Sequence, residues 1–138
     1  MKPYVEHANL TVRHLENTIQ FLQTAIPEFT ARHLGQHQMY RWCHIGTDET
    51  YLALQEVIER DAIDRTPYRD LGINHIGLVV DDVAQVRDRL LRAGYRENDL
   101  ETRHPWRTRI YFFDRDGIEW EFTQYLSDEP SQRNDYSR

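Results

Sequence analysis

Gly72-Ile73-Asn74-His75-Ile76-Gly77-Leu78-Val79-Val80 decides the reading of this chain, because Tyr4-Val5-Glu6-His7-Ala8-Asn9-Leu10-Thr11-Val12 follows the same pattern. Aligning His7 with His75 sets an offset of 75 − 7 = 68 residues. Without a gap, that offset lays Leu10 on Leu78, Val12 on Val80, Leu22 on Leu90, Arg41 on Arg109, Asp48 on Asp116 and Ala53 on Glu121. Both stretches are rich in β-formers and read as strands. Two strand-borne histidines and one strand-borne carboxylate, related by a repeat, suggest a metal site between two similar halves.

Outward from these strands, the two halves share one order. In the first, Leu15, Ile19, Leu22 and Ile26 recur at helical spacing, and Pro27 stops the helix. A short strand over 29–34 is expected next, then strands over 40–45 and 50–57 joined by the turn Gly46-Thr47-Asp48-Glu49. In the second, Asp81-Asp82 supplies an N-cap, and Val83, Val86, Leu90 and Ala93 form a helix stripe ending near Gly94. Strands over 107–113 and 118–125 follow, joined by Asp114-Arg115-Asp116-Gly117. Each half reads βαβββ, and neither buries its sheet alone, so the chain is expected to be one α+β domain of two paired modules. The expected divisions are module one 4–57, a charged connector 58–71 with a short helix at 58–64, module two 72–126, and a mobile tail 127–138.

Bulk composition narrows the classes of partner. The 138 residues suffice for one buried core, with 39% hydrophobic and 29% charged residues. A net charge of −6, with the 17 basic residues interleaved among acids, disfavours a nucleic-acid partner. A single cysteine, Cys43, excludes an intramolecular disulfide and fits a reducing compartment. No apolar run approaches the roughly 20 residues of a membrane helix, so no membrane partner is expected. With no signal-peptide core at the N-terminus, the expectation is a cytoplasmic protein.

Two motifs then carry a family resemblance. One is Asn74-His75-Ile76-Gly77-Leu78-Val79-Val80 followed by Asp81 and a helix. The other is Tyr111-Phe112-Phe113-Asp114-Arg115-Asp116-Gly117-Ile118-Glu119-Trp120-Glu121-Phe122. Together they resemble the vicinal oxygen chelate superfamily of glyoxalase I, extradiol dioxygenases, fosfomycin-resistance transferases and bleomycin-binding proteins, over roughly residues 4–126. Arg115 stands where the family's turn carries proline. The resemblance implies a cupped mixed sheet that brings His7, His75 and Glu121 together around one divalent ion, Fe, Mn, Zn or Ni. It also implies a small-molecule substrate with adjacent oxygens, lyase, isomerase or dioxygenase chemistry, and a homodimer.

The residues leave several roles open. Strand parity puts Glu119, Glu121, Ala53 and Gln55 on the face away from the helices. Ala53 stands where glyoxalase-like members carry a fourth ligand, and a methyl group cannot coordinate. Three protein ligands with open positions would remain, as in facial-triad iron oxygenases. Glu119, Gln55 or Glu121 could act as base or orienting group. Arg41 and Arg109 could bind an anionic substrate group or form surface salt bridges, and Tyr111 is a candidate for the pocket wall. Opposite Phe112 in the gapless repeat, His44 reads as a packed histidine. Cys43 lacks a partner histidine at recognisable spacing, so it is not read as a nucleophile. The competing reading is a metal-free binding protein of the bleomycin-resistance type, for which the acids and tryptophans would serve an aromatic or cationic ligand.

Overall fold

Alternation of apolar and polar residues builds two four-stranded mixed sheets, and a helix stripe covers one face of each. The computed structural model describes residues 2–57, 64–101 and 103–137. The helix expected at 58–64 falls almost wholly outside the described residues. The chain forms two compact units, Met1–Arg65 and Thr66–Arg138. The first contains β1 (His7–Val12), α1 (Leu15–Ala25), β2 (Thr30–Gln36), β3 (Tyr40–Gly46) and β4 (Tyr51–Val57). The second contains β5 (His75–Val79), α2 (Val83–Arg92), β6 (Arg96–Asn98), β7 (Arg107–Phe113), β8 (Glu119–Tyr125) and α3 (Pro130–Arg133). Strand orders are β1-β4-β3-β2 and β5-β8-β7-β6, and in each the first pair is parallel and the others antiparallel. This is the expected α+β class with a βαβββ order in each half. No helix among the described residues is long and apolar enough to cross a membrane.

In unit 1, Leu10, Val12, Cys43, Ile45, Leu52 and Leu54 are buried, as are Leu15, Phe21, Leu22 and Ala25 of α1. In unit 2, Ile110, Phe112, Trp120 and Phe122 are buried with Val83, Val86 and Leu90 of α2. Ala93 is exposed, and Tyr95 rather than Ala93 continues the buried set. The start of each helix is tied to its sheet by the same device. The Leu15 N–H donates to Glu56 Oε2 at 2.9 Å, and the Val83 N–H donates to Gln124 Oε1 at 3.2 Å. Those N–H groups have no partner inside a helix, so the strand supplies an acceptor. Leu15 and Val83, like Glu56 and Gln124, are related by the offset of 68.

The repeat is not gapless, however. Gly46 pairs with Tyr51, leaving four residues, 47–50, in the turn, whereas Phe113 pairs with Glu119, leaving five, 114–118. The longer turn is built by Asp114, whose Oδ1 accepts the N–H groups of Asp116 and Ile118 at 2.9 and 3.0 Å. Gly117 sits there at φ +79, a conformation that a side chain disfavours. The extra residue shifts β3 against β7 by one position. Cys43, opposite Leu54, therefore corresponds to Ile110, opposite Phe122, at an offset of 67. Arg41 thus matches Thr108 rather than Arg109, and His44 matches Tyr111 rather than Phe112.

After Leu126, in the segment that the sequence suggests is a mobile tail, Pro130–Arg133 forms one helical turn. The buried Arg107 guanidinium donates to the carbonyls of Arg133 and Asp135, both at 3.0 Å, and lies over the Tyr136 ring. Pairing Arg107 with these carbonyls satisfies two of its N–H groups.

Two outcomes test this packing. Trp120 is fully buried, and its indole N–H donates to Asp114 Oδ2 at 3.0 Å. Trp120→Ala should cost about 3–5 kcal/mol in denaturant melts, and a loss below about 1 kcal/mol would contradict the packing. In unit 1, Arg41 bonds both Glu56 (2.8 and 3.0 Å) and Glu16 (2.8 and 3.0 Å), which holds both carboxyls below their ordinary range. A depressed carboxyl contributes stability above its unfolded value, roughly 4.3, and loses it as pH falls through the lower folded value. Arg41→Gln should therefore reduce the stability difference between neutral pH and pH below about 4. An unchanged acid limb in pH-dependent thermal melts would contradict the coupling.

Candidate functional site

The sheet face opposite α2 gathers His75, Glu119 and Glu121. The parallel register pairs His75 with Glu119 and Gly77 with Glu121, so β5 and β8 present these residues on one side and Trp120 and Phe122 on the other. His75 Nε2 lies 3.2 Å from Glu121 Oε2. Gly77 opposite Glu121 adds no side chain, and a Cβ there would meet nothing within 4 Å. Thr123 Oγ1 donates to Glu121 Oε1 at 2.9 Å. From β7, Tyr111 pairs in register with Glu121, and its ring packs edge-on against His75 with centroids 5.8 Å apart. Burial, then the Glu121 charge and a hydrogen bond to it, push the Tyr111 hydroxyl up to about 12. Arg109 lies on the same face, opposite Thr123.

Glu119 is buried, and both of its oxygens are engaged. Asn98 Nδ2 donates to Oε1 at 2.6 Å, and the Tyr68 hydroxyl donates to Oε2. The same hydroxyl lies 2.9 Å from His75 Nδ1. Although the residue as a whole is 61% exposed, burial, then Glu119, pushes the Tyr68 hydroxyl up to about 12. Glu119 is thus an acceptor already in use rather than a carboxylate open to substrate. Tyr68 and Asn98 escape the sequence reading. Tyr68 lies in the connector beside Pro67, outside any periodic pattern, and Asn98 lies on a three-residue strand.

The equivalent face of unit 1 is aromatic. His7 Nδ1 is 2.9 Å from Glu6 Oε2, and its ring stacks on Tyr51 at 4.8 Å. His44 packs against Tyr51 at 4.5 Å and Trp42 at 5.2 Å. Burial, then the neighbouring His33 and Arg32, lower the His44 imidazole. A hollow of about 250 Å³ lies among Asn9, Tyr40, Trp42, His44, Ala53 and Gln55. Gly35 allows the Trp42 ring to press on β2, since a Cβ there would lie 2.3 Å from the indole. Arg41 does not join this face. It lies on the α1 side with Cys43 and Ile45, held between Glu16 and Glu56. Cys43 is fully buried, and burial raises its thiol above the ordinary value, which fits a packing role.

His75 and Glu121 fit a divalent ion. Two donors bound in neighbouring positions at about 2.1 Å from one ion lie roughly 3.0–3.4 Å apart, which spans their separation. Among the described residues, no group of three or more His, Cys, Asp or Glu side chains is placed to hold a metal. His7, the third expected ligand, belongs to the other unit.

Comparison with known structures places the fold. A glyoxylase/bleomycin resistance protein/dioxygenase domain from Frankia sp. EAN1pec is 19% identical, with a TM-score of 0.73, covering 91% of this chain and 99% of that one. A glyoxalase family protein from Bacillus cereus is 14% identical, with a TM-score of 0.74, covering 89% and 94%. The fosfomycin resistance protein FosX from Listeria monocytogenes, complexed with Mn(II) and sulfate, is 19% identical, with a TM-score of 0.69, covering 96% and 98%. No curated protein matches significantly by sequence. The family profile of the Glyoxalase/Bleomycin resistance protein/Dioxygenase superfamily matches residues 4–122, and with the two βαβββ halves already described, the chain belongs to that superfamily.

Proposed function

We propose that this chain is a divalent-metal-dependent enzyme acting on a small molecule with vicinal oxygens, by lyase, isomerase or dioxygenase chemistry. The observation that carries the proposal is the 3.2 Å approach of His75 Nε2 to Glu121 Oε2, with Nδ1 turned to Tyr68. A metal-bound histidine uses one ring nitrogen for the ion and the other for a hydrogen-bond partner. His7 enters as the third ligand on the sequence repeat alone. The ion, Fe, Mn, Zn or Ni, would supply a Lewis acid able to hold two adjacent substrate oxygens. Tyr111 and Arg109 would then face the substrate, Tyr111 as a neutral hydrogen-bond donor and Arg109 as a cation for an anionic group. Support comes from FosX of Listeria monocytogenes, one variant of which is complexed with Mn(II) and 1S,2S-dihydroxypropylphosphonic acid, a vicinal diol. The proposal includes a cytoplasmic homodimer, as the sequence suggests.

The second reading, a metal-free binding protein, draws on unit 1. There Trp42, His44 and Tyr51 form an aromatic surface beside the hollow over Ala53. Planar rings could stack on it.

Isothermal titration of chelator-treated protein separates the two. The metal reading expects one divalent ion per chain, lost in His75→Ala and Glu121→Ala and weakened in His7→Ala. Wild-type protein that takes up none of Fe(II), Mn(II), Zn(II) or Ni(II) stoichiometrically would end the metal reading. For the reaction class, Fe(II)-loaded protein should consume oxygen with a catechol if it is a dioxygenase. If it is a lyase, Zn(II)- or Ni(II)-loaded protein should turn over a glutathione hemithioacetal instead. Silence in both, with tight binding of an aromatic probe by metal-free protein, would favour the second reading.

A further inference from the structure

The connection from Tyr68 to His75 has a direction, and the direction matters. Glu119 accepts through both oxygens, from Tyr68 and from Asn98. The Tyr68 hydroxyl carries one proton, and that proton goes to Glu119 Oε2. At His75, 2.9 Å away, the phenol oxygen is therefore left as an acceptor, which favours a proton on Nδ1. In a neutral ring this leaves Nε2 bare, and Nε2 is the atom 3.2 Å from Glu121. The tyrosine is itself fixed in place. Its backbone N–H donates to Asn74 Oδ1 at 2.7 Å, and its φ of +65 is unusual for a residue with a side chain. Asn74 directly precedes His75, so one strand end carries both the imidazole and the anchor of its partner.

We infer that Tyr68 is a positioning residue: through Asn98-fixed Glu119 it holds His75 as the Nδ1–H tautomer and keeps Nε2 free for a ligand shared with Glu121. The inference rests on the metal reading for its functional meaning; the tautomer is read on the metal-free protein, where a proton on Nε2 donated to Glu121 is the competing form. Tyr68 acts through His75 and does not itself touch the ion. Asn98 occupies the oxygen of Glu119 that Tyr68 leaves, which keeps the carboxylate from turning away from the phenol.

The test is a long-range proton–nitrogen correlation spectrum of full-length protein labelled with 15N-histidine, at a pH where the ring is neutral. Wild type should show His75 protonated at Nδ1. Tyr68→Phe removes only the hydroxyl and should give a mixture with the Nε2–H form. In parallel titrations with Mn(II), the same variant should bind roughly 10–100-fold more weakly, the usual effect of losing a partner of a ligating histidine. Wild-type His75 protonated at Nε2 would overturn the inference, even if the variant failed to fold. So would folded Tyr68→Phe with the wild-type tautomer unchanged. Wild-type protein that binds no metal yet holds Nδ1–H, with the tautomer lost in the variant, would sink the metal reading while leaving the action of Tyr68 on the ring standing.

Discussion

The parallel pairing of β5 with β8, in the register His75 to Glu119, is the constraint on which the unit 2 site depends. Side chains alternate along a strand, so a slip of β8 by one residue would send Glu119 and Glu121 into the apolar layer, away from His75, and expose Trp120 and Phe122. The register is held from the helix side. Trp120 and Phe122 are wholly buried, and Trp120 is tied by its indole N–H to Asp114 in the preceding turn. Packing on one face therefore places chemistry on the other. Once the register is set, the distance from His75 to Glu121 follows from neighbouring strands and needs no special loop.

The two units show how a repeat diverges without losing its frame. The contact of each helix start with its sheet is kept, through Glu56 in one unit and Gln124 in the other. The open faces keep the histidine, His7 or His75, and differ around it. Where unit 2 carries Glu119, Tyr111 and Glu121, unit 1 carries Tyr51, His44 and Ala53. One face is an acid–imidazole cluster and the other an aromatic surface around a methyl group. Coordination favours the first because carboxylate and imidazole are ligands for divalent ions, and stacking favours the second.

Much of this was legible in the sequence because it depends on alternation and spacing. His75 and Glu121 share a face, Ala53 and Gln55 share a face, and Val83, Val86 and Leu90 line the buried side of α2, all as period and parity require. The matching of Arg41 with Arg109 was misleading because both turns look alike in sequence. Only the pairing of Gly46 with Tyr51 and of Phe113 with Glu119 reveals the extra residue. Arg41 then falls on the helix side, where a strand residue of either polarity is accommodated if carboxylates meet it. Tyr68 could not be found by periodicity, since its role depends on a positive φ and on a hydrogen bond to a residue 51 positions away. Glu119 was visible as a polar residue on the open face, but not that its oxygens were already taken.

The central claim is that His75 and Glu121 ligate one ion. X-ray absorption on Mn(II)-loaded protein addresses it directly, because imidazole ligands give characteristic outer-shell scattering beyond the first coordination sphere. The account predicts nitrogen and oxygen donors, with imidazole scattering beyond the first shell in the wild-type spectrum. A wild-type spectrum that shows oxygen donors alone would contradict it.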